Sequence, residues 1–149
     1  MDLASGSGHL AVVEYLHRAR EEGCTTQAVT LAAQGGHLHV IEWLTENRLN
    51  KSDVSSLIWA LEEAALGGHL SVMKFLWAHK NCEPPEVFSQ NTHNFAAQGG
   101  HLHILEWMYR VSGKGYNSGV TLNFACEGGH FEVVEWLLND KVYIGRTQP

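Results

Sequence analysis

Basic charge is scarce in this chain: 10 Lys+Arg stand against 16 Asp+Glu among 149 residues, a formal net charge of -6. Nucleic-acid affinity rests on Lys and Arg neutralising phosphates, and no basic cluster of that kind occurs, so no nucleic-acid partner is expected. Proline is rarer still, with three residues, and nothing in the composition is collagen-like or disordered. Long hydrophobic runs are missing too. Apolar stretches span only a few residues and Met1-Asp2 opens no basic or apolar leader, which predicts neither a membrane partner nor a signal peptide. The three cysteines, Cys24, Cys82 and Cys126, are odd in number and none stands in a C-x-x-C spacing. Reduced thiols and an intracellular setting, cytoplasmic or nuclear, follow as expectations. With 44% hydrophobic residues, a chain this long can bury ~68–70% of its unfolded surface as a single domain.

What is abundant is histidine, ten residues, and its placement is regular. The dipeptide Gly-His occurs at Gly8-His9, Gly36-His37, Gly68-His69, Gly100-His101 and Gly129-His130, where random placement would give about one. Successive histidines lie 28, 32, 32 and 29 residues apart, and each opens the same block: HLAVVEYL, HLHVIEWL, HLSVMKFL, HLHILEWM and HFEVVEWL. The chain therefore reads as a single domain of five units, roughly 1-23, 24-52, 53-86, 87-117 and 118-144, either a piece of a longer array or an array frayed at its outer units.

Counting each of these histidines as zero, positions +1, +3, +4, +6 and +7 are apolar in every unit and +5 is charged. On a helix those positions cover an arc of about 220°, wider than a lone amphipathic helix needs. So broad an arc fits a helix packed against its own partner and against equivalent helices on either side. Upstream lies a second helical piece ending in small residues: Ala32-Ala33, Ala64-Ala65, Ala96-Ala97, Ala125-Cys126, and Ala4-Ser5 in the first unit. Glycines at -2 and -1, nine of the chain's fifteen, end that helix in a tight left-handed turn. Histidine then opens the second helix, with its ring in reach of backbone groups of the turn.

The A-A-x-G-G-H-L-x-V-x-E-W-L block resembles the ankyrin repeat, whose second half reads roughly A-A-x-x-G-H-x-x-V-V-x-x-L-L, and the likeness covers nearly the whole chain. It implies an all-α, ankyrin-like solenoid of stacked helix-turn-helix repeats. The first half of the repeat departs from the family. Its Thr-Pro-Leu-His start is replaced by Gln27-Ala28-Val29-Thr30, Trp59-Ala60-Leu61-Glu62, Asn91-Thr92-His93-Asn94 and Val120-Thr121-Leu122-Asn123, none with the proline. The Gly-Ala-Asp-x-Asn hairpin loop is also missing, which implies short loops in place of projecting β-hairpins. Aromatics at +6 (Tyr15, Trp43, Phe75, Trp107, Trp136) replace the usual leucine and read as core.

Histidines of different units fall in layers roughly 8–10 Å apart, too far to converge within about 2 Å of one zinc ion. His37/His39 and His101/His103 are two apart on a helix and point away from each other. No metal site or cofactor is expected. No nucleophile elbow, zinc-protease helix or phosphate loop occurs, and Lys114 in Ser112-Gly113-Lys114-Gly115 reads as part of a loop, so no catalytic residue is expected. Glu62-Glu63 reads as a solvated helix start. For Trp59 both local packing and an exposed anchor for a partner stay open.

The function expected is that of a non-enzymatic scaffold or adaptor that binds another protein, as a monomer. The alternative is a substrate-recruiting or regulatory segment of a larger enzyme or degradation adaptor. The resemblance implies recognition on the concave surface, through variable residues just after the small pair and through the inter-repeat loops. Those positions are Gln34, Leu66, Gln98 and Glu127, with Thr26, Asp53, Glu83, Tyr116 and Asn117 in the loops, and Trp59 beside them.

Overall fold

The computed structural model describes residues 1–19, 25–47, 54–79, 88–112 and 118–139. These residues form ten helices and no strand: α1 (Asp2–Gly6), α2 (Leu10–Ala19), α3 (Gln27–Gln34), α4 (Leu38–Asn47), α5 (Val54–Gly67), α6 (Leu70–His79), α7 (Gln90–Gln98), α8 (Leu102–Ser112), α9 (Ser118–Gly128) and α10 (Phe131–Asn139). They pair in order, and the first helices of the pairs, α1, α3, α5, α7 and α9, stack directly on one another. The architecture is an all-helical two-row stack. The connections between pairs lie outside the described residues, and with them the loops expected in place of hairpins.

Close stacking of the first helices follows from their small residues. Ala32, Ala33, Ala64, Ala65, Ala96, Ala97 and Ala125 are fully buried, and Ser5 takes the same place in α1. Its hydroxyl donates to Met1 O at 3.1 Å, so the one polar member of the set is satisfied. The last member, Cys126, is exposed.

The second helices show which slots face which neighbour, because the outermost layers each lack one. In the first layer the +3 residue Val12 is 46% exposed, while Val40, Val72, Ile104 and Val133 at the same slot are buried. In the last layer the +1 residue Phe131 is 73% exposed, where the leucines of the other units are half-buried. Slots 0, +3 and +7 therefore look toward the preceding layer and +1, +4 and +8 toward the following one, as 100° per residue requires. The +6 aromatics join the core only in part: four of the five pack against its edge. Trp43, Phe75, Trp107 and Trp136 are half-buried and Tyr15 is exposed, because +6 sits at the edge of the arc. Across that edge Trp77 at +8 meets Trp107 edge-on at 6.2 Å, and His17 meets Trp43 at 5.1 Å in the same manner.

The expected solvated start at Glu62-Glu63 is also corrected. Helix α5 begins at Val54, so both carboxylates fall in its middle and are half-buried under the neighbouring layers. Ser89 Oγ donates to Glu62 Oε1 at 2.6 Å, and Glu63 Oε2 is buried with no hydrogen-bond donor.

Candidate functional site

The turns are built identically. The histidine N–H donates back to the carbonyl five residues earlier, His9 to Ala4, His37 to Ala32, His69 to Ala64, His101 to Ala96 and His130 to Ala125, at 2.9–3.0 Å. That closure needs a left-handed residue just before the histidine, and Gly8, Gly36, Gly68, Gly100 and Gly129 supply it with φ of 72–81°. The histidine carbonyl then accepts the first amides of the second helix, such as Ile41 N at 3.2 Å.

The imidazole does not reach its own turn but the one before. His37 Nε2 lies 3.1 Å from Gly6 O, His69 Nε2 2.9 Å from Gln34 O, His101 Nε2 2.9 Å from Leu66 O and His130 Nε2 2.8 Å from Gln98 O. A carbonyl only accepts, so each Nε2 carries the proton and donates it to the preceding layer. Burial pushes the pKa of His101 down, partly opposed by its bond to Leu66 O, with His103, His130 and His69 adding repulsion. His39, two residues along, makes a parallel bond to Gly8 O at 3.0 Å and is not idle. No cluster of three His, Cys, Asp or Glu able to hold a metal occurs among the described residues.

A second seam joins the first helices of the last three layers, from the middle of α5 to the N-terminal halves of α7 and α9. Ser89 caps α7, accepting from Thr92 N at 3.1 Å while donating to Glu62 of α5. Gln90 Nε2 donates to Asn94 Oδ1 at 2.9 Å and to Thr121 Oγ1 of α9 at 3.2 Å, and Thr121 Oγ1 donates to Asn94 Oδ1 at 3.1 Å. Beside them His93 is fully buried against Phe88, its Nδ1–H donating to Ser89 O at 3.2 Å. Burial drives its pKa down to about 4, so it is neutral at neutral pH. Sequence reasoning passed over this seam; its only signal was polar residues where a buried helix start wants apolar ones.

The expected recognition residues separate clearly. Gln34, Gln98 and Glu127 are exposed at the ends of α3, α7 and α9, Leu66 is half-buried at the end of α5, and Trp59 is 65% exposed two turns earlier on α5. Thr26 is exposed at the start of α3, its carbonyl accepting from Thr30 Oγ1 at 3.4 Å. Asp53, Glu83, Tyr116 and Asn117 lie outside the described residues. Gln34, Leu66 and Gln98 therefore have two parts: a main-chain carbonyl committed to the next layer's imidazole, and a side chain that is exposed, or half-buried in the case of Leu66.

A family model described as "Ankyrin repeats (3 copies)" matches residues 1–87 and again 61–148. The chain belongs to the ankyrin repeat family. Among curated proteins no relative matches it. Ankyrin repeats generally mediate protein–protein interactions, and the family is typically a non-catalytic binding scaffold. No helix among the described residues is long and apolar enough to cross a membrane.

Proposed function

We propose that this ankyrin array binds a partner protein along the solvent face of its first helices, without catalysis of its own. The observation that supports the reading is α5, which presents Trp59, 65% exposed, with the half-buried Leu66 two turns on, between the exposed Gln34 and Gln98 of the neighbouring layers. Tryptophan is highly buried on average and is enriched where partners anchor. Amides on either side supply directional hydrogen bonds around that apolar centre. The loop residues Asp53, Glu83, Tyr116 and Asn117 would extend the same surface.

This surface serves a free-standing adaptor or the substrate-recruiting segment of a larger enzyme or degradation adaptor. Its setting in this reading is inside the cell, in cytoplasm or nucleus, in keeping with the exposed free thiol of Cys126. The test is capture of a partner from native lysate, identified by mass spectrometry and then remeasured with purified components. Changing Leu66 and Gln98 together to Arg should abolish binding with Tm nearly unchanged, and Glu14→Arg with Glu42→Arg, on the second helices, should leave it intact. Loss with the second pair and not the first would move recognition to the opposite face.

A further inference from the structure

Charge is divided unevenly between the two rows of helices. The second helices carry both signs, with Arg18, Lys74 and Arg110 among their side chains. The first helices α1, α3, α5, α7 and α9 hold no lysine or arginine, and four carboxylates: Asp2, Glu62, Glu63 and Glu127. Two of the four are answered within the fold, Asp2 by the amide and hydroxyl of Thr25 and Glu62 by the hydroxyl of Ser89. Glu127 is exposed at the end of α9 and open to water. Glu63 differs from all three: it is half-buried in the central layer, and its Oε2 is buried without a donor among the described residues.

The surroundings of Glu63 are apolar. Along α5 it follows Trp59 by four residues and precedes Leu66 by three, so the three side chains leave the helix within an arc of about 60°. At the same slot of the neighbouring layers, six residues before each histidine, stand Leu31 of α3 and Phe95 of α7, both half-buried. A carboxylate set among such side chains is unfavourable to cover, because docking strips the water that its charge retains. A cation brought by the partner offsets that loss; a wholly apolar or an acidic partner does not. Trp59, 65% exposed, offers the same cation an aromatic face one turn away.

We propose that the segment bound on this face carries an arginine within an apolar stretch, its guanidinium paired with Glu63 and stacked on Trp59, its apolar neighbours laid against Leu31, Leu66 and Phe95. Arginine fits better than lysine because its flat, weakly hydrated fork pairs with a carboxylate and lies on an aromatic ring at once. This rests on the reading that the first helices form the recognition face, and adds to it the chemistry of the partner.

A random dodecapeptide library displayed on phage and panned on the folded full chain supplies probes without choosing a partner in advance. Wild type should enrich peptides with arginine flanked by apolar residues. Glu63→Gln should lose that preference, and Glu42→Gln, on a second helix, should keep it. For one enriched peptide, made synthetically and measured by calorimetry, Glu63→Gln and exchange of the peptide's arginine for citrulline should each weaken binding at least about tenfold, and both together little more than either alone. Glu63→Gln should leave Tm unchanged or raise it, since it removes a half-buried charge and breaks no hydrogen bond to Oε2. Enriched peptides that lack arginine yet are lost on Trp59→Ala would keep the recognition face and overturn the arginine. Arginine peptides indifferent to Glu63→Gln would overturn it as well. Enriched peptides whose binding survives both Trp59→Ala and Leu66→Arg would overturn the face itself, and a library from which nothing is enriched would overturn the proposal.

Discussion

Along the Gly-His turns the imidazoles of His37, His69, His101 and His130 all bond a main-chain carbonyl of the layer before. Away from the turns Ser89 bonds the Glu62 carboxylate, and Gln90, Asn94 and Thr121 bond one another's side chains. Every residue has a carbonyl, so the turn seam recurs whatever stands at -3, be it Gly6, Gln34, Leu66 or Gln98. The polar seam depends on particular partners and occurs only where both are present. One seam makes the chain a repeat; the other makes its last three layers individual.

The largest effect should come from breaking the turn seam by steric means. Gly68→Ala combines a left-handed backbone, φ 81°, with a methyl 2.6 Å from His101 Cε1, and should cost about 3 kcal/mol from strain and overpacking together. Gly129→Ala shares the backbone strain, φ 73°, but meets no ring, and should cost about 1 kcal/mol. Urea unfolding of the two variants isolates the seated imidazole, and equal losses would show that the ring is not packed as described.

Next comes acid, which should act through the second seam. His93 has a folded pKa of about 4 against an ordinary value of 6.5, so the unfolded chain takes up its proton first as pH falls. Stability should therefore be level above about pH 6.5, drop by about 3 kcal/mol between there and pH 4, and then lose no more from this group. His101, pushed down chiefly by burial, adds a loss of the same sign. His93→Leu should remove most of the slope, and an unchanged slope would place its origin elsewhere.

A smaller effect is expected from Thr121→Val, which keeps the shape but removes a buried hydroxyl from the Gln90–Asn94 pair, costing about 1–2 kcal/mol in thermal unfolding. Smallest are the single imidazoles. His69→Ala should cost about 1 kcal/mol, exposed His39→Ala less, and His9→Ala less than about 0.5 kcal/mol since it reaches no preceding layer. A cost at His9 equal to that at His69 would remove the distinction between seated and unseated rings.

The same difference explains what could be read from the sequence. Helix pairs, small-residue stacking and the Gly-His turns were legible because each obeys a rule of one residue type at one spacing. The direction of the imidazoles was not, since a ring at the turn reaches its own backbone or its neighbour's with equal economy on paper. Glu62 and Glu63 are misplaced because Asp53, a cap-type residue directly before Val54, reads as a loop residue rather than as the mark of a helix start. The polar seam was illegible because the pairing of Gln90 with Thr121 spans 31 residues and follows no period.

The most direct measurement is a long-range 1H–15N NMR spectrum of the histidine side chains at neutral pH. His37, His69, His101 and His130 should each show the Nε2–H tautomer with a slowly exchanging ring proton, His93 the Nδ1–H tautomer, and His9 rapid averaging. A common averaged pattern for His9 and the four others would contradict the stack of imidazoles bonded to the layer before.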